Sequence, residues 1–284
     1  MPKLEEFLRD RSPLDAKQIR RIRELTSDWQ LLADLSFADL ILWVPLRKDF
    51  KTWPSGYVAV AHIRPTTAAT VFNQDVIGDE IEWGARPRID QALSEAEIIR
   101  DAQPEKFGEI FIKEETIPVI LGDQVIAVIS RHRNAELMRQ PSRLELNYRE
   151  VAHNVYRMVA EGTFPYTEHS ELFDPAVRVG DGLIRLDING AIIYASPNAK
   201  SAFSRMGWAG ELEGNNLGQA ARSVSVVKLE AHEEAIEVGL SGKALRRVEI
   251  ENAGGTVDLL ALPLLAGGDR IGAIVLLQNV TELR

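Results

Sequence analysis

The sequence predicts an α+β protein of two domains, each a central antiparallel sheet with flanking helices. Strand-like apolar runs are interleaved with amphipathic helical segments along the whole chain. Two segments resemble one another: "IPVILGDQVIAVIS" (117–130) and "LPLLAGGDRIGAIVLL" (262–277) each run apolar-Pro-apolar-apolar into a Gly-Asp turn and out along a second apolar strand. Gly accepts a positive φ and Asp bonds its own backbone, so each is expected to be a hairpin closing a domain. Between them, "EGTFPYTEHSELFDP" is polar and carries proline, the composition of a linker. The expected organisation is a first domain over 1–161, a linker over 162–171 and a second domain over 172–284.

In chain order, a helix is expected after Pro13, with Ser12 as N-cap, Pro13 in the first helical position and Asp15 in the first turn. Ile19, Ile22, Leu25, Trp29 and Leu32 then share one face at helical spacing. Strands are expected over 38–46 and 55–65. The stretch 66–115 is less regular, and 93–102 is its best helical piece. After the first hairpin, 141–162 is a strong helix on which Leu144, Tyr148, Val151, Val155 and Met158 are spaced 4-3-4-3. That stripe fits either a coiled-coil seam or a helix packed on its own sheet.

The second domain opens with short strands over 183–187 and 191–195 joined at Asn189-Gly190, a strong hairpin signal. Helical material follows Pro197, and 226–242 is an amphipathic helix stopped by Gly. Three strand runs close the domain: "LRRVEIEN", "TVDLLALPLL" and "RIGAIVLLQ". The last leads into Asn279, Val280, Thr281 and Glu282. Asn or Thr before a first turn and Glu within it are helix-start chemistry, so a helix is expected to begin at this junction.

Composition narrows the class. With 284 residues, a net charge of −9 and no surplus of Lys and Arg, the chain lacks the cations that phosphate backbones demand, so no nucleic-acid partner is expected. No apolar run approaches the roughly 18 residues of a membrane span, and the N-terminus is charged throughout, so a cytoplasmic protein without a membrane partner is expected. The absence of Cys excludes disulfides, thiolate metal sites and iron–sulfur clusters.

The second half resembles a PAS domain: Asp181-Gly182-Leu183-Ile184, then Asp187, Asn189-Gly190, Ile192 and Asn198 follow the usual opening. The close, Gly272-Ala273-Ile274 through Asn279-Val280-Thr281-Glu282, resembles the D-I-T turn of PAS domains that feed a signalling helix, with Asn279 in place of Asp. The first half resembles a GAF domain. Taken together, the chain is similar to the sensory half of a soluble actinobacterial sensor histidine kinase, the sensor family of the phosphorylation-dependent transcriptional antitermination system. "HIRPTTAATVFNQDVIGDEI" (62–81) is the stretch that most points there.

The resemblance implies a homodimer responding to a small-molecule signal. It implies a following phosphoacceptor and ATP-binding region using ATP and Mg, and a response regulator with an RNA-binding antiterminator output. It implies no cofactor in this chain. The alternatives are the input module of a non-kinase output (cyclase, phosphatase or transcription factor) and a stand-alone binding module.

No catalytic residue is expected. His153 in "EVAHNVYRM" is helical but lacks an acidic or Lys-Asn neighbourhood and precedes the PAS-like half; "RHRN" (131–134) fails likewise. Asn73 with Asp79-Glu80 matches a cyclic-nucleotide GAF signature only in part, because Gln74 and Asp75 stand where a cation and Phe belong. His232 shares a helical face with Leu229, Ile236 and Leu240 where haem-binding PAS domains place their ligand, and a satisfied, half-buried His is the commoner role. Trp43, Tyr57 and Trp83, with Trp53, are candidates to line a pocket or to fill plain core. His169 sits among acids in the linker, and no metal set of three or four converging ligands is visible.

Overall fold

The computed structural model describes residues 8–100, 103–135, 140–166, 178–226 and 230–280. The chain divides into two compact units, Met1–Pro165 and Tyr166–Arg284.

The first long helix of unit one, α1 (Ala16–Ser27), starts later than expected because Asp15, not Ser12, caps it. Asp15 accepts from the Gln18 N–H and the Gln18 side chain accepts from the Asp15 N–H, a reciprocal capping box. Ser12 closes the preceding turn instead, donating to Leu8 O at 2.6 Å. The apolar face continues, with Ile19, Ile22, Leu25, Trp29 and Leu32 all buried. The helix itself breaks at Asp28, and Trp29–Ser36 forms α2.

Among the described residues the sheet has seven strands: β1 (Asp39–Leu46), β2 (Gly56–Ile63), β3 (Glu80–Glu82), β4 (Ile99–Arg100), β5 (Glu105–Phe107), β6 (Ile110–Leu121) and β7 (Gln124–Asn134). Their order is β3-β2-β1-β7-β6-β4, with β5 beside β6. The β6–β7 hairpin turns at Gly122, φ +66°, and runs well past the apolar core visible in sequence. The expected helix over 93–102 is corrected: α3 (Pro87–Glu95) has Pro at its start and ends at Ala96 in the left-handed region. Ile99 and Arg100 instead pair with Thr116 and Glu115. Their backbone groups gain ladder partners at the sheet edge, which overrides the helical pattern.

The helix α4 (Arg143–Ala160) is capped by Ser142 and Glu145. It packs on α2 and β6 and buries Tyr148, Val151, Val155 and Met158, so its stripe is a helix-on-sheet contact. One face of the sheet is thereby covered by helix and carries Leu40, Leu42, Ile117, Val119 and Ile129. The other face is covered by α3 and by the 64–86 segment.

Unit two begins with a 3-10 turn (Val179–Asp181), then β8 (Leu183–Leu186) and β9 (Ile192–Ala195). The helices α5 (Pro197–Arg205), α6 (Leu217–Val224) and α7 (Glu230–Gly239) precede β10 (Arg246–Asn252), β11 (Gly255–Ala266) and β12 (Asp269–Asn279). The antiparallel order is β10-β11-β12-β8-β9. Phe203, Met206, Leu217, Ile236, Leu259 and Val275 meet between helices and sheet in one apolar cluster. Each large apolar side chain buried there contributes about 1.5–3 kcal/mol by removal from water.

Of the expected linker over 162–171, residues 167–171 lie outside the described residues, as does the stretch to 177. Among the described residues no helix is long and apolar enough to cross a membrane.

Candidate functional site

Side chains alternate across a strand, so register partners share a face. Asp39 on β1, His132 on β7 and Glu114 on β6 are register partners across three adjacent strands. All three are buried and lie on the face under α3. A band of acid, imidazole and acid therefore crosses the interior of unit one. It lies at one end of a cluster that also holds Ile41, Trp43, Tyr57, Phe72, Ile89 and Val128.

Each end of the band is held differently. Asp39 accepts from Val71 N–H at 2.7 Å and from the Thr70 hydroxyl, which fixes the connection after β2 over the sheet. Five residues back along the chain, Asp34 accepts from the Thr66 N–H and, at 3.0 Å, its hydroxyl, while its own carbonyl accepts from Thr67. These buried aspartates account for the polar "PTTAAT" residues: the threonines staple an otherwise irregular segment. At the other end, Glu114 faces Arg86 at 3.5 Å and Arg88 at 3.3 Å, and Arg88 reaches Glu105 at 2.5 Å. The Thr116 hydroxyl donates to Arg88 O at 3.0 Å, tying the start of α3 to β6. A cleft of about 360 Å³ opens there, lined by Arg86, Arg88, Glu105, Lys106, Ile112 and Glu114.

In the middle, the Trp43 indole N–H donates to Ser130 Oγ at 2.8 Å, and Ser130 Oγ lies 2.8 Å from His132 Nε2. The Phe72 ring stands edge-on between two imidazoles, 5.6 Å from His62 and 4.9 Å from His132. Burial, reinforced by Arg86, His62 and Arg131, drives the His132 pKa down to about 3, so the ring is neutral at pH 7. Among the described residues its Nδ1 has no hydrogen-bond partner; neither has His62 Nε2, which lies 3.8 Å from Asp39. Tyr57 Oη and Asp90 Oδ1 are likewise buried without a partner. Burial and then the Asp90 carboxylate hold the phenol protonated, though the pair has no hydrogen bond of good geometry. Unpartnered buried polar atoms are costly in a purely structural core. Several on one face, beside a charged cleft, are groups that a small polar guest could pair with, whereas the Ser130–His132 contact is fully buried.

Of the residues singled out from sequence, Trp43, Tyr57 and Trp83 converge on this face. Trp43 and Tyr57 are buried packing, while Trp83 stacks on Tyr57 at 6.0 Å and meets the exposed Trp53 at 4.8 Å. His232 lies apart, half-buried on α7, and among the described residues no group of three or more His, Asp or Glu is placed to hold a metal. His153 is exposed on α4, its Nδ1 2.8 Å from Arg100 Nη2. Asp187 accepts from the N–H groups of Asn189 and Ala191 and so shapes the turn at Gly190, φ +81°. Asn198 Nδ2 donates to Gly180 O at 2.6 Å and ties α5 to the opening turn. Asn279 ends β12, and the Val280 N–H donates to Thr256 O at 3.0 Å; Thr281 and Glu282 lie outside the described residues. Asp39, Glu114, Ser130 and His132 were not foreseen. The one signal available was the pair of consecutive polar runs, 113–116 and 130–134, that interrupt otherwise apolar strands.

A seven-stranded unit with a helix-covered polar face, followed by a five-stranded unit with three helices between its second and third strands, defines a tandem sensory region. Comparison with known proteins agrees. A model of the GAF domain of histidine kinase PdtaS matches residues 4–152. Sensor histidine kinase PdtaS of Mycobacterium tuberculosis is 38% identical over the whole chain, and that of Mycolicibacterium smegmatis 36%. The chain spans 57% of the length of these relatives. A solved structure described as the sensor region of a sensor histidine kinase is 37% identical, with TM-score 0.83 over 99% of this chain and 98% of that one. The chain belongs to the PdtaS sensor histidine kinase family and corresponds to its sensory region.

Proposed function

We propose that this region controls ATP- and Mg-dependent autophosphorylation of a kinase domain beyond it, acting as a homodimer in the cytoplasm. Phosphotransfer then passes to a response regulator with RNA-binding antiterminator output. The signal is a small polar molecule received on the face bearing Asp39, His132 and Glu114. The observation that supports this most is the concentration of unpartnered buried polar atoms beside the Arg86–Glu114 cleft. An occupant favours one packing of the sensory units over another, a population shift rather than a chemical step. The change leaves through β12 and Val280 as a tilt or rotation of the exit helix, altering the reach of the kinase domain toward its phosphoacceptor His.

The test is autophosphorylation of the full-length protein with labelled ATP. Glu114→Gln, which removes the charge shared by Arg86 and Arg88, is expected to change the rate at least about threefold, the size of a sub-kcal/mol bias between two states. A rate indistinguishable from wild type with correctly folded protein contradicts the reading.

A further inference from the structure

A second cleft, of about 460 Å³, opens on unit two between the C-terminal ends of α5 and α6 and the β10–β11 turn. It lies outside the helix–sheet core, which is filled by Phe203, Leu217 and Ile236. Its frame is already satisfied: Asn252 Nδ2 donates to Met206 O at 2.8 Å and Val224 O at 2.5 Å, and Asn252 Oδ1 accepts from Gly254 N–H at 2.7 Å. Two lining groups are not satisfied. Ser225 is 5% exposed, and its hydroxyl has no hydrogen-bond partner among the described residues. Arg205 is exposed, and its guanidinium has no hydrogen-bond or ion-pair partner among the described residues. Met206, Val224 and the 62% exposed Val226 supply an apolar wall.

We propose that this cleft binds a small amphipathic carboxylate. The anion pairs with Arg205, a polar atom of the ligand bonds Ser225 Oγ, and the hydrocarbon lies on Met206, Val224 and Val226. One planar guanidinium matches a carboxylate in bidentate fashion, and an apolar wall with a single cation disfavours a multiply charged phosphate. The position gives the site a consequence. The lining turn leads directly to Thr256, whose carbonyl accepts the Val280 N–H, so an occupant sits beside the exit of β12. The inference stands apart from the polar face of unit one.

The test is an NMR titration of the isotope-labelled chain with hexanoate, hexanol and inorganic phosphate. Hexanoate is expected to give saturable shifts at the Gly207, Ser225, Gly254 and Val280 amides, with hexanol weaker by about tenfold or more. Arg205→Gln should weaken hexanoate by a similar factor. Ser225→Ala should weaken binding while leaving the thermal midpoint unchanged or higher, since it deletes an unpartnered buried hydroxyl. No saturable shifts, shifts indifferent to Arg205→Gln, phosphate equalling hexanoate, or a Ser225→Ala chain that melts lower would each overturn the proposal. None of these outcomes bears on the Glu114→Gln autophosphorylation result.

Discussion

The guanidinium of Arg21, only 2% exposed on α1, donates to the carbonyl of Phe164 at 2.7 Å, just past the end of α4. The same group donates to Gly162 O at 2.7 Å and to Pro165 O. One buried cation thus gathers three backbone carbonyls where unit one hands the chain on, and burial pushes its pKa down. The planar fork serves the three carbonyls from two nitrogens held apart in a fixed geometry, which the single nitrogen of an ammonium does not reproduce. Arg21→Lys and Arg21→Gln should each lower unfolding free energy by about 2–4 kcal/mol, since buried carbonyls lose the donors placed at Nη1 and Nη2. Urea denaturation measures this, and a Lys variant as stable as wild type would refute the fork argument.

Asp39 serves as acceptor for the segment after β2, through Val71 N–H and the Thr70 hydroxyl. Asp39→Ala should cost about 2–3 kcal/mol, the loss of charge-assisted hydrogen bonds in a buried site. Hydrogen exchange should quicken at the Val71 amide and leave the Ile129 amide of β7 unchanged. Equal quickening at both amides would point to global loosening instead.

His132 makes stability depend on pH with a definite sign. Its folded pKa, about 3, lies below the ordinary imidazole value of about 6.5. The unfolded chain therefore binds a proton between those values that the folded chain refuses, and stability falls as pH drops from 6.5 toward 3. Replacing His132 with Gln should flatten unfolding free energy over that window, whatever its effect at pH 8. An unchanged slope would show that the imidazole titrates normally.

Asp28, at the break between α1 and α2, works in the opposite direction. Burial, opposed by Ser27 and helped by Glu24, raises its pKa to about 7. The unfolded chain loses this proton first as pH rises above about 4, so stability declines from there to about 7. Asp28→Asn should raise the thermal midpoint at pH 8 and leave it unaltered at pH 4. Gain at both values would mean the carboxylate is not the cause.

How far the sequence reveals this molecule depends on the interaction concerned. Periodicity exposed the strands and the α4 stripe because the burial of Tyr148, Val151 and Val155 is decided locally by spacing. It failed at 93–102, where Ile99 and Arg100 pair with residues of β6 far along the chain. It misplaced a cap at Ser12 because Asp15 and Gln18 form the reciprocal pair. The candidate site was least legible. Asp39, Glu114 and His132 are remote in sequence and become one band only through register. The aromatic candidates were visible and converge on that face, yet Trp43 and Tyr57 pack as core, and nothing in the spacing of His62, Asp90 and His132 shows that their buried polar atoms meet there.

The exit of β12 is the proposed route from sensing to output. The measurement that addresses this most directly is the autophosphorylation rate of the full-length protein carrying Val280→Pro, beside wild type and a kinase portion lacking residues 1–280. Proline removes the N–H that binds Thr256 O at 3.0 Å. Transmission by that route requires the variant, with its sensory units still folded, to match the truncated kinase rather than wild type. A Val280→Pro protein with the wild-type rate, distinct from that of the truncated kinase, would contradict it.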